Sequence, residues 1–142
     1  MKKYIIVLLV LLMSCLITIS AQNEDMFINA LRNCTPYNSS DEININGITA
    51  TSVKQMQGWQ GDKCYYKETV KLNGMDFTTS CKFTKEQIHE IVSVADAYFL
   101  TQKYSKEEID LSSSDTVKNN PIVQVLNKYL QDSSVCSIQG LE

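Results

Sequence analysis

Histidine, proline and glycine are scarce in this chain: one, two and five residues among 142. A lone histidine excludes a histidine-rich metal centre. The absence of any Cys-x-x-Cys pair or Cys/His cluster argues against a zinc site or a thioredoxin-like redox motif. An excess of positive charge is missing too, since 13 Lys and Arg face 16 Asp and Glu. Basic residues that few and that scattered leave no footprint for a phosphate backbone, so nucleic acid is not an expected partner. No glycine-rich phosphate loop, EF-hand spacing or internal repeat of solenoid length is visible, and no cofactor is implied.

The N-terminus is different in kind. Met1-Lys2-Lys3 is followed by Tyr4 to Ile19, apolar apart from Ser14, Cys15 and Thr18, and then by Ser20-Ala21 and the polar run Gln22-Asn23-Glu24-Asp25. That order is a secretory signal peptide over residues 1–21, cut between Ala21 and Gln22. The apolar run is short for a bilayer span of about 20 residues and has no basic stop-transfer cluster after it. A competing export route uses Leu12-Met13-Ser14-Cys15, which resembles a bacterial lipobox; an acylated Cys15 is the one feature that would place the protein on a membrane. With residues 1–21 gone, 142 less 21 leaves 121 residues, and losing Lys2 and Lys3 takes the formal charge from −3 to −5. Residues 22–142 are then one domain, exported to the periplasm or exterior, large enough to bury about two thirds of its unfolded surface.

Four cysteines remain in that domain, Cys34, Cys64, Cys81 and Cys136. In an oxidising compartment an even number predicts two disulfides, for which three pairings exist.

Met26 or Phe27, Ala30, Leu31 and Cys34 recur at helical spacing before Pro36, predicting a helix over 23–33. Turns at Asn46-Gly47, Gly61-Asp62 and Asn73-Gly74 predict an antiparallel meander of four strands, about 42–45, 48–59, 63–72 and 75–83. A two-residue turn at Asn73-Gly74 sets Val70 opposite Phe77, Glu68 opposite Thr79, Tyr66 opposite Cys81 and Cys64 opposite Phe83. The same rule at Gly61-Asp62 sets Trp59 opposite Cys64, Gln57 opposite Tyr66, Gln55 opposite Glu68 and Val53 opposite Val70. Almost every apolar residue of the last two strands then shares one face. On that face Cys64 and Cys81 lie diagonally, a poor geometry for bonding each other, so each is expected to reach another element: Cys34 on the first helix and Cys136 on the tail.

Thr84 and Gln87 form a capping box for a helix from Lys85 to about Gln102, whose apolar stripe is Ile88, Ile91, Val92, Ala95 and Phe99. Ser105 to Glu108 is a second capping box, starting a short helix near Ile109, and 112–115 is a loop. Asn120-Pro121 opens a last helix carrying Ile122, Val125, Leu126 and Tyr129. Ser133 to Cys136 is expected to be an irregular tail. The fold class is α+β: a four-stranded antiparallel meander, an N-terminal helix and C-terminal helices on one face, held by disulfides. A helix followed by a meander resembles the outline of the cystatin-like folds. Of those inhibitors' Gln-x-Val-x-Gly loop, only Gly58 in Lys54-Gln55-Met56-Gln57-Gly58 is matched, so the resemblance concerns fold outline alone.

Candidate chemistry is confined to a few residues. His89, with Ser93 and Glu86 a turn away on either side, stands on the solvated flank of its helix and lacks the convergence that nucleophilic catalysis requires. The register leaves an anomaly on the apolar inner face, where Gln55, Glu68 and Thr79 form one cross-strand row flanked by Gln57. Either the row is wet at an overhanging part of the sheet, or its groups satisfy one another around a small polar pocket. Trp59, beside the turn at Gly61, is either a recognition anchor or packing for a disulfide. Gln55, Gln57, Trp59, Glu68 and Thr79 are therefore the candidate binding residues. With no catalytic constellation, the expected function is a non-catalytic binding protein for an unidentified protein or small ligand. The alternatives are a small hydrolase using Glu68 and a structural envelope protein anchored through Cys15.

Overall fold

The computed structural model describes residues 21–45, 48–104 and 119–140. The signal peptide, Cys15, the Asn46-Gly47 turn, the Ser105 capping box with its helix near Ile109 and the loop 112–115 lie outside the described residues. Helix α1 spans Ala21–Asn33, followed by strands β1 (Tyr37–Ile45), β2 (Ile48–Gln60), β3 (Lys63–Leu72) and β4 (Met75–Phe83). Helices α2 (Lys85–Tyr104) and α3 (Pro121–Leu130) and strand β5 (Cys136–Gln139) follow. The strands form one antiparallel sheet in the order β1-β2-β3-β4-β5.

Five strands replace the expected four. The tail is the fifth: Cys136 pairs with Cys81 and Ile138 with Thr79, so the supposed irregular end is an edge strand. Cys136 and Ile138 point inward between Ser137 and Gln139, but an alternation of four residues is too short to mark a strand by itself, and β4 supplies the template. Strand β1 also begins earlier than the hydrophobic pattern implies. Its polar stretch Tyr37 to Glu42 pairs with Thr51 to Met56, since β2 runs 13 residues and offers hydrogen-bonding partners along its length.

The β3/β4 register is the expected one, from Leu72 opposite Met75 to Cys64 opposite Phe83. In β2/β3 it holds only next to the turn, where Trp59 faces Cys64. A bulge between Met56 and Gly58 then leaves Gln57 without a partner and shifts the rest of β2 by one residue. Met56, Lys54 and Ser52 therefore stand opposite Tyr66, Glu68 and Val70, in place of Gln57, Gln55 and Val53. Gly58 has φ +91°, a backbone conformation that glycine adopts at little cost. Because strand side chains alternate with period 2, the shift exchanges the faces of β2. Ala50, Ser52, Lys54 and Met56 are buried, while Gln55 is half-buried on the other face and Gln57 is exposed.

The helices cover the inner face. Thr84 accepts from the Gln87 amide at 3.2 Å and Gln87 accepts from the Thr84 amide at 2.8 Å, the capping box in place. Asn120 caps α3 by accepting from the Ile122 amide at 2.9 Å, with Pro121 in the first turn. Phe27 and Leu31 of α1, Ile88, Ile91, Val92 and Ala95 of α2, and Val123, Val125, Leu126 and Tyr129 of α3 share one buried cluster with Met56, Cys64, Tyr66, Cys81 and Phe83 of the sheet. Disulfides Cys34–Cys64 and Cys81–Cys136 join α1's end to β3 and β4 to β5. Such bonds fit an oxidising compartment. Among the described residues no helix is long and apolar enough to cross a membrane.

Candidate functional site

The polar row exists, with different members. Across the inner face it reads Ser39, Lys54, Glu68, Thr79 and Ile138, each opposite the next. Asp41 and Ser52 face each other one row further along, and Tyr66 lies one row back beside the core. Exposure decides between the two readings of this row: Lys54 is 1% exposed, Glu68 4% and Thr79 2%. At Lys54, Glu68 and Thr79 the row is dry, and Glu68 finds its hydrogen-bond partners in the neighbouring rows.

Glu68 uses both oxygens. Ser52 Oγ donates to Oε1 at 2.7 Å and Tyr66 OH donates to Oε2 at 3.1 Å. Burial pushes its carboxyl pKa up from the ordinary value; the Lys54 charge and the two hydrogen bonds pull the other way, and the Asp41 charge adds to the rise. Opposite charges buried on facing strands contribute little net stability together, but removing one of them is costly.

Among the described residues, three buried side-chain atoms lack a hydrogen-bond partner: Ser39 Oγ, Asp41 Oδ2 and Thr79 Oγ1. Thr79 matters most because it borders a cavity of about 30 Å³ between the sheet and two helices. Phe27 and Leu31 wall it from α1, Leu126 and Leu130 from α3, and Tyr66, Glu68, Thr79, Cys81 and Phe83 from the sheet, almost entirely through carbon. A space of that volume takes one or two water-sized groups.

Of the sequence-derived binding residues, the fold brings only Glu68 and Thr79 together. Gln55 is on the outer face, opposite Lys67 and Asn38, and Gln57 stands in the bulge. Trp59 is 39% exposed at the end of β2, with Lys85 Nζ 5.8 Å from its ring centroid. Lys54, Ser52 and Tyr66 were missed as members of the site. Gly58 inside a strand pattern was the available signal, because an interior glycine often marks a bulge. His89 is exposed on α2. Compared with family models, curated proteins and solved structures, the chain matches none.

Proposed function

We propose that this protein is a small exported, non-catalytic binding module that seats one hydrogen-bonding group, from a small ligand or a partner side chain, in the Glu68–Thr79 cavity. The observation that carries this is the Thr79 hydroxyl, buried at the cavity wall without a partner. A hydroxyl left unsatisfied costs about 1–3 kcal/mol, a cost folded proteins rarely retain. A group that donates to or accepts from it recovers that energy, and the volume admits a single small head of that kind. Export is supported by residues 1–21 and by the two disulfides.

A hydrolase reading has one observation in its favour, the raised pKa of Glu68. Against it, both Glu68 oxygens already accept hydrogen bonds, and Thr79 is the only other polar member of the cavity lining apart from the Tyr66 hydroxyl that holds Glu68.

Thr79→Val separates binding from structure, because it keeps the shape and removes the hydroxyl. With short straight-chain alcohols and primary amides as probes, methyl NMR of the native protein should show saturable shifts at Thr79 and Leu126. The variant should lose that response by about tenfold or more while gaining about 1 kcal/mol of stability. No probe response in the native protein, together with a destabilised variant, would mean an internal water partners Thr79 and the cavity is structural.

A further inference from the structure

The face of the sheet opposite the helices carries a second pattern, independent of the cavity. Register places Asn38, Gln55, Lys67, Ser80 and Ser137 in one unbroken row across all five strands. Every one is a hydrogen-bonding side chain, and the only charge is positive. In the neighbouring row Lys82 faces Tyr65 and holds its Nζ 5.3 Å from the ring centroid. On the other side Thr69 and Thr78 face each other with their hydroxyls 3.2 Å apart.

Charge on this face is segregated. Among the described residues its strand carboxylates, Glu42 and Asp76, both stand in the row of Thr51 and Lys71, four residues along β3 from Lys67. Four residues of strand are about 13 Å, beyond the screening length of about 8 Å at physiological ionic strength. Lys63, further towards the turn, has Glu86 in its field and is left out of the patch. Lys67 and Lys82 thus make a positive end on a sheet face of a chain whose formal charge is −3. The row spacing adds a length scale: neighbouring strands are about 4.8 Å apart, close to the length of one sugar unit in an extended polysaccharide.

We propose that this outer face binds an anionic polysaccharide, its chain running across the strands. Amide and hydroxyl side chains of the Asn38–Ser137 row meet successive sugar hydroxyls, and Lys67 and Lys82 meet carboxylates carried on the rings. A lipid surface fits less well, because among the described residues the exposed large apolar ones, Met26, Ile48, Trp59, Met75 and Leu100, all lie outside these rows.

Polygalacturonate is the probe, with neutral dextran, polyglutamate and phosphatidylglycerol vesicles beside it, and amide NMR and calorimetry as readouts. Polygalacturonate should bind, shifting the amides of Gln55, Lys67, Ser80 and Lys82, with dextran and polyglutamate each weaker. Lys67→Gln with Lys82→Gln should weaken it about tenfold, two exposed ion pairs' worth, at unchanged melting temperature. Thr79→Val should leave it unaltered, which keeps this surface distinct from the cavity. Equal binding of polyglutamate, tighter binding of the vesicles, no binding of polygalacturonate, or full binding by the double variant would each overturn the proposal.

Discussion

Glu68 is a carboxyl under opposed pressures, and its titration can be isolated. In the unfolded chain it releases its proton near the ordinary value of 4.5, whereas in the folded protein burial holds the proton to higher pH. Between those two values the folded state binds more protons than the unfolded one, so this group's contribution to stability rises as pH falls. Glu90, held down by Lys128 and then by Tyr129, and Asp96, held down by Arg32, have the opposite sign and lose their contribution in acid. Glu68→Gln keeps the size and can still pair with both hydroxyls, one of which must then accept from the amide nitrogen, but it does not titrate, and the exposed acids are common to both proteins. Urea unfolding across pH should therefore show the native protein gaining on the variant as pH drops from neutral towards about 4.5. Parallel curves would mean that Glu68 keeps an unshifted pKa, contrary to its burial.

Strand β2 depends on one extra residue. Removing Gln57 would leave Trp59, Gly58 and Met56 opposite Cys64, Tyr65 and Tyr66, the partners they have now, in plain alternation. The inward set Ala50, Ser52, Lys54 and Met56 would keep its face. Deleting Gln57 is accordingly expected to cost no more than about 1 kcal/mol, as for surface changes that break no buried contact. Deleting Val53 instead would move Ser52 and Ala50 to the solvent side and should unfold the β1–β2 half of the sheet. Thermal melts of the two deletions, with amide exchange on β1, distinguish them. Equal and large losses would show that the bulge itself is required, for instance to bring Gly58 beside the Cys34 carbonyl.

For the molecule as a whole, cross-links close what the core alone leaves marginal. Cys34–Cys64 and Cys81–Cys136 span 30 and 55 residues of chain. By loop entropy each restricts the unfolded state by about 4 kcal/mol, against a total of about 5–15 kcal/mol for a typical domain. Exposed clasps between helices, Arg32–Asp96 at 2.7 Å and Lys128–Glu90 at 2.8 Å, add much less. Either Cys→Ala pair alone should leave a folded protein with a lower melting temperature, and removing both pairs should leave it unfolded at 37 °C by circular dichroism. A fully reduced protein with native spectrum and melting would show that the core suffices without them.

Local chemistry was enough to determine α1, both capped helices, the hairpin at Asn73-Gly74 with its whole register, and the even set of cysteines, because each rests on neighbours in sequence: a cap, a turn or a stripe. Glu68 and Thr79 were legible as a polar pair for the same reason, since a two-residue turn fixes who faces whom. The pairing of cysteines, the fifth strand and the real neighbours of Glu68 were decided only in three dimensions. Cys136 becomes part of a strand because β4 is there to pair with it, and Lys54 reaches Glu68 because one glycine-linked bulge slides β2 past β3 by a residue. A period-2 pattern cannot register such a slip from within: Gln55 and Lys54 are both polar, and only the burial of one face distinguishes them.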